Sequence, residues 1–369
     1  MTSCFRYAWC LGIGALCLTT SIQAALLRDQ KPPNATNYDV INGKLADEHE
    51  IKEHEIGVFY AQEHYRRGVE ALNAQNWKES ARRFNILVLN YPQTTFAQEA
   101  GFFLGISFYY LCEYDFANTA FTTYLKCQSN PIYFLEAIEY KYAIAEKFRC
   151  GARRRCFGTK RLPKWASGTD IALEIYDEVA IAMPHHEIAV NALFSKACLL
   201  WKQQQYRESV DVFRTLIRRF PKHELTPESY LLINQVYLEQ SRTELQNPDI
   251  LDFAQINVRK FQADFPNDEG VFQAEAYVLA IKEVYARGLF KTGDFYQRIR
   301  KPQAAVIYYQ KAMVEFPETI TADWCRRRLS SLCPEALVVP LPAKVAKERE
   351  GLGIPDKTED LDQIDFSLD

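Results

Sequence analysis

The chain has 369 residues, 48% of them hydrophobic, and 44 basic against 47 acidic side chains leave it at -3. That near balance removes any bulk electrostatic case for nucleic acid, and the apolar share suffices for a packed core. A chain this long ordinarily divides into about two or three domains, unless it grows by adding repeats to one continuous fold.

Residues 1–24 read as an export signal: Arg6 supplies a positive start, Ala8–Leu18 an apolar run, and Ile22 and Ala24 a cleavage site before Ala25. The run is too short to span a bilayer. A lipoprotein signal needs a small residue before its cysteine. Cys10 follows Trp9 and Cys17 follows Leu16, so cleavage after Ala24 is the expectation and acylation of Cys17 the alternative. An apolar N-terminal helix of an unexported protein is the plainer reading. Residues 25–56, with Pro32-Pro33 and the mixed charges of Asp47–Glu55, read as an extended arm.

From residue 57 the chain repeats. The stretch AQEHYRRGVEALNAQNWKESARRFNILVLNYP, residues 61–92, holds two helical patterns, a short turn and a stop at Pro92. Helix, turn, helix and proline in about 34 residues is the tetratricopeptide period. The small residue Ser80 recurs as Ala117, Ala172, Ser209, Ala254 and Ala305. Phe84 recurs as Phe121, Tyr176, Phe213, Val258 and Tyr309, and Leu87 as Tyr124, Val179, Leu216, Phe261 and Ala312. In the preceding helix Gly68 recurs as Gly105, Ala197 and Gly293, and the stop as Pro184, Pro221, Pro266 and Pro317. Small residues let two helix axes approach, and the residues four and seven further on continue the same face. The fold expected is all-α, a tetratricopeptide-like α-solenoid of about five to six helical hairpins, since each hairpin has an apolar face it cannot bury alone. The domains expected are N-terminal repeats over 57–184, C-terminal repeats with a closing helix over 185–333, and a disordered acidic tail over 334–369.

The third repeat is interrupted by KFRCGARRRCFGTKRLPK, residues 147–164, with eight Lys or Arg and no acid. Such an insert could meet phosphates, lipid headgroups or an acidic protein face, or be a solvated loop. Its Cys150 and Cys156 could close a small disulfide in an oxidising compartment. Cys112, Cys127, Cys198, Cys325 and Cys333 fall in helical patterns as core fillers.

No phosphate-binding, zinc-protease or nucleophile-elbow motif is present, and His185-His186 beside Glu187 lacks a third convergent ligand. An enzyme, a metal site and a cofactor are therefore not expected. What stacked hairpins do is bind. First-helix positions Tyr65, Phe102, Ile106 and Tyr109 would make an aromatic groove for an extended or helical peptide, with Arg66, Arg67 and Lys141 near enough to receive a carboxylate. The plainer alternative is that these aromatics only pack between hairpins.

The first repeat, YRRGVEALNAQNWKESARRFNILVLNYP, and the end, AIKEVYARGLFKTGDFYQRIRKPQAAVIYYQKAMVEFPET (residues 280–319), together resemble the BamD-type outer-membrane assembly factors. The likeness covers about 57–333. It implies a non-enzymatic tetratricopeptide lipoprotein on the periplasmic face of the outer membrane, in a complex that inserts β-barrel proteins. It further implies that residues of about 270–330 contact the barrel subunit's periplasmic domains. The N-terminal repeats would receive unfolded barrel substrates, and other assembly lipoproteins would be further partners. The poor lipobox, the basic insert and the tail depart from that pattern. Two other functions stay open at this point: a periplasmic adaptor coordinating cell-wall synthesis with envelope constriction, though residues 25–56 show no heptads, and a hydrolase on a helical scaffold.

Overall fold

The structure, a computed structural model, describes residues 48–127, 130–155, 163–244 and 247–332. The expected leader with Cys17, the start of the arm, Cys156, Cys333 and the acidic tail lie outside the described residues. Thirteen α-helices follow in order among them. They are α1 (Glu48–Asn73), α2 (Trp77–Asn90), α3 (Thr95–Tyr110), α4 (Tyr114–Cys127), α5 (Phe134–Arg149), α6 (Thr169–Ala182) and α7 (Glu187–Lys202). Then come α8 (Tyr206–Arg219), α9 (Leu225–Thr243), α10 (Pro248–Asp264), α11 (Gly270–Arg298), α12 (Pro302–Glu315) and α13 (Ile320–Leu332). The fold class is the expected one, all-α and built of tetratricopeptide-like hairpins. The chain forms two compact units, Met1–Ala192 and Leu193–Asp369.

The repeat register is a packing register. Each of the aligned second-helix positions, from Ser80, Phe84 and Leu87 to Ala305, Tyr309 and Ala312, is at most 7% exposed. An aromatic three residues before the small first-helix residue meets the second-helix aromatic: Tyr65 with Phe84, Phe102 with Phe121, Phe194 with Phe213, and Phe290 with Tyr309, at 5.6 to 6.2 Å between ring centres. The small residue leaves the space for that ring. A Cβ at Gly105 would come within 2.6 Å of Phe121, and one at Gly293 within 2.5 Å of Tyr309. The interrupted repeat keeps the pattern, since Tyr142 meets Tyr176 at 6.1 Å and Ala145 is fully buried at the corresponding place.

Two recurrent devices end the helices. First helices stop at a residue in the left-handed region, Gln75, Cys112, Gly151, Gln204 and Arg300. In each, the next amide bonds back five residues, as Asn76 N–H does to the Ala71 carbonyl at 2.8 Å and Gln205 N–H to Leu200 at 3.0 Å. Second helices stop at Tyr91, Met183, Phe220, Phe265 and Phe316, each with φ near -130° and each followed by a proline, which pushes its predecessor out of the helical region.

Helix α11 runs unbroken to Arg298 and is the first helix of the last hairpin. Two expectations need correction. The arm is not extended to residue 56, because α1 already begins at Glu48. The basic insert is not only loop: Arg153–Arg155 and Lys164–Ser167 pair as an antiparallel ribbon, β1 and β2, with a bulge after Arg154.

Candidate functional site

In the first unit, the faces of α1 and α3 carry the residues expected to bind peptide, and the structure sorts them. Tyr65, on α1, is half-buried. Its hydroxyl donates to Glu99 Oε2 at 2.5 Å, and its ring lies 5.4 Å from Phe96 and 6.4 Å from Phe103. Burial, and then the bond to Glu99, push its phenol pKa up, so it is a neutral donor at any physiological pH. Tyr109 is half-buried between Tyr110, Tyr114 and Tyr140, all within 5.7 Å and edge-on. Ile106 lies between these two clusters, one turn from each, and is half-buried.

Phe102 does not line a groove. It is 4% exposed, stacked on Tyr133 at 4.6 Å and set against Phe121, Tyr124 and Tyr140. The next hairpin covers that side of α3, so Phe102 contributes packing, about 1.5–3 kcal/mol for a fully buried ring. The open stripe runs through Glu99, Phe103, Ile106 and Tyr110, at i, i+4, i+7 and i+11. Phe103, Phe96 and Tyr110 were missed from sequence. Tyr110 is 49% exposed and stacks on Trp77 at 4.3 Å. The signal existed: a helix between two neighbours hides both flanks, and this stripe lies off the face that Gly105 claims, with Tyr133 of the following repeat reaching only Phe103, at 5.7 Å.

The cations divide likewise. Arg66 Nη2 and Arg67 Nε reach Glu63 Oε1 at 2.9 and 2.6 Å, and Arg66 also pairs with Glu70, all at the surface. Such pairs are worth about 0–1 kcal/mol, so an incoming carboxylate can replace them. Lys141 cannot serve. It is 2% exposed, with Nζ 2.5 Å from both Glu178 Oε2 and Thr122 Oγ1, and burial pulls its pKa down.

The basic ribbon stands on the same unit. Arg155 forks onto Glu113, with Nε 2.9 Å from Oε2 and Nη2 2.6 Å from Oε1, and its amide donates to Asp115 Oδ2 at 3.0 Å. Lys164 Nζ donates to the Cys112 carbonyl at 2.7 Å. The bond from Arg155 holds the Glu113 carboxyl below the usual range, while burial raises that of Asp115. Cys150 caps α5, and its expected disulfide partner Cys156 lies outside the described residues. Among the described residues no group of acidic, His or Cys side chains is arranged to hold a metal, and no helix is long and apolar enough to cross a membrane.

Residues 173–331 match the model of the YfiO family, described as outer membrane lipoprotein, which is BamD-like as the sequence resemblance suggests. No curated protein matches the chain. Among solved structures, a tetratricopeptide repeat protein from Parabacteroides merdae is 14% identical and covers 69% of this chain and 93% of its own, at a TM-score of 0.33. The apo form of RapI is 12% identical, covering 77% and 80%, at 0.34. The C-terminal part of a TPR repeat-containing protein from Cytophaga hutchinsonii is 17% identical, covering 77% and 98%, at 0.30. Superpositions this loose add nothing to what the hairpins themselves establish.

Proposed function

We propose that this chain, matched over 173–331 by an outer membrane lipoprotein family, is a non-enzymatic scaffold of the outer-membrane β-barrel assembly machinery. It works on the periplasmic face of that membrane. That family match carries the reading, and it runs from within α6 through the hairpins of α7 to α13. The hairpins of about 270–330 hold the barrel-insertase subunit through its periplasmic domains, and other assembly lipoproteins complete the complex. The hairpins of 57–184 receive unfolded barrel substrates.

For the second task the α1 and α3 faces have suitable chemistry. A peptide ending in an aromatic residue would lay its ring on the stripe of Phe103, Ile106 and Tyr110, beside Tyr65 and Tyr109. Its terminal carboxylate would take Arg66 or Arg67 from Glu63. The leader is cleaved after Ala24 or leaves an acylated Cys17, which mass spectrometry of the mature N-terminus distinguishes. The decisive experiment is affinity purification of the tagged full chain from solubilised envelopes. Recovery of a barrel-insertase subunit is expected, and its absence, with the tagged chain itself recovered folded, overturns the proposal.

A further inference from the structure

The ribbon of β1 and β2 is rigidly mounted and chemically odd. Its base is fixed at two ends. The Arg155 fork and Lys164 tie it to Glu113 and Cys112 in the turn before α4. Gly168, where β2 runs into α6, lies so close to Phe148 that an added Cβ would come within 2.1 Å of that ring. Ser167 Oγ, 2.9 Å from Thr169 Oγ1, also accepts from the Thr169 amide at 3.3 Å at the start of α6. Arg154 Nε donates to the Ser167 carbonyl at 3.0 Å and closes the ribbon on itself.

What this mount presents is Trp165, 64% exposed in the bulge between Lys164 and Ala166. Among the described tryptophans it is the exposed one: Trp77 stacks on Tyr110, Trp201 donates to Glu239 at 2.5 Å, and Trp324 packs edge-on to Phe290. On the paired strand Arg153 lies opposite Ser167, and Lys147, at the end of α5, is tied by its carbonyl to the Ala152 amide at 2.9 Å; both are exposed and without an acidic partner among the described residues. The stretch 147–164 contains no acid at all.

We infer that this ribbon is a membrane-surface foot. Trp165 seats in the headgroup layer of an anionic phospholipid bilayer, and Arg153 and Lys147 pair with its phosphates. Charge complementarity selects an anionic occupant. The form of the site selects a lipid surface over an acidic protein. Protein interfaces bury their aromatic anchors in an apolar core ringed by polar residues. Trp165 is instead, among the described residues of the ribbon, a single exposed large apolar side chain in a run of basic and small residues. That is the combination found at bilayer interfaces, where an indole suits the boundary and Lys and Arg suit the phosphates. Arg155 and Lys164, spent on Glu113, are structural. The inference rests on the envelope setting of the function proposed above.

The test uses the full chain and vesicles of phosphatidylglycerol and phosphatidylethanolamine with brominated acyl chains, which quench tryptophan emission on contact. Quenching is expected for the wild type and should lose its Trp165 component in Trp165→Phe, a variant that leaves the mount intact. Any leader that binds vesicles through Trp9 quenches both proteins alike and cancels. Arg153→Ala and Lys147→Ala should each weaken partitioning about fivefold, and 0.5 M salt should remove the difference between them and the wild type. Equal quenching of Trp165→Phe and wild type, or equal binding to phosphatidylcholine vesicles, overturns the inference. So does a Trp165 emission shift with polyglutamate and none with vesicles, which would assign the ribbon to an acidic protein. A chain that recovers no barrel subunit yet shows the Trp165 quenching loses the scaffold reading and keeps the foot.

Discussion

The two compact units share one helical register and differ in the polarity they bury. Through Ala192 the buried polar set among the described residues is Ser80 and Ser107, bonded to each other across two helices at 2.9 Å, and one charged residue, Lys141, joined to Glu178. From Leu193 the set among the described residues is larger and neutral, and part of it joins helices. Asn257 Nδ2 donates to the Tyr230 carbonyl at 2.8 Å and to Asn234 Oδ1 at 3.1 Å, while Asn234 reaches the Ala274 carbonyl at 3.4 Å. The second unit thus pins α9, α10 and α11 with groups that do not titrate. The first leaves ionisable groups at its core and at the foot of its ribbon. The repeat register therefore suffices to fold a hairpin, and the space between hairpins is free to be filled by different chemistry.

The shared register is tested by the largest effect. Phe121→Ala in the first unit and Phe213→Ala in the second, both fully buried, should each cost about 3–5 kcal/mol in urea unfolding. A cost confined to one unit would break the comparison. The neutral joint comes next: Asn257→Ala strands Asn234 and the Tyr230 carbonyl, and should cost about 1–3 kcal/mol, with no dependence on pH between 6 and 10, roughly the span free of ordinary carboxylate and lysine titration.

Lys141→Met sharpens the contrast. Glu178 is 48% exposed and can be hydrated once its partner is gone, so the change should be near neutral, within about 1 kcal/mol. Because burial lowers the Lys141 pKa, the unfolded chain holds its proton to higher pH than the folded one. Wild-type stability should therefore rise relative to the Met variant as pH approaches the ordinary lysine value of 10.5, as thermal unfolding across that range would show. The smallest effect concerns the turns. Gln75→Gly and Gln204→Gly remove a side chain from the left-handed region, φ 57° and 62°. Each should stabilise its own unit by about 1 kcal/mol in chemical denaturation.

The helical architecture was readable because it depends on local spacing: Ser80, Phe84 and Leu87 and their copies name the buried face without knowledge of neighbours, and the prolines after Tyr91, Met183, Phe220, Phe265 and Phe316 name the stops. The site was only half readable. Tyr65, Ile106 and Tyr109 keep an open edge, but whether Phe102 or Phe103 faces outward depends on where Tyr133 and Tyr140 come from, which is a matter between repeats. Lys141 misled for the same reason, its partner Glu178 lying beyond the insert. The ribbon was hidden because Arg153–Arg155 carries no alternation of apolar and polar residues. Its pairing is fixed by Glu113 and Asp115, about 40 positions earlier.

Helix α11 has 29 residues, which at 1.5 Å each makes a rod of about 44 Å. Its first half packs under α9 and α10, through Val271, Ala274 and Val278, and its second half forms the last hairpin with α12, through Leu289 and Gly293. Repeat arrays ordinarily come apart at the seams between neighbours, each seam being the weakest link. Here one uninterrupted backbone crosses the seam, so separating the last hairpin from the one before requires melting the middle of a helix. Amides of α9 and α12 should accordingly exchange with solvent through a single common opening, giving the second unit the cooperativity of a globular domain despite its modular ancestry in form.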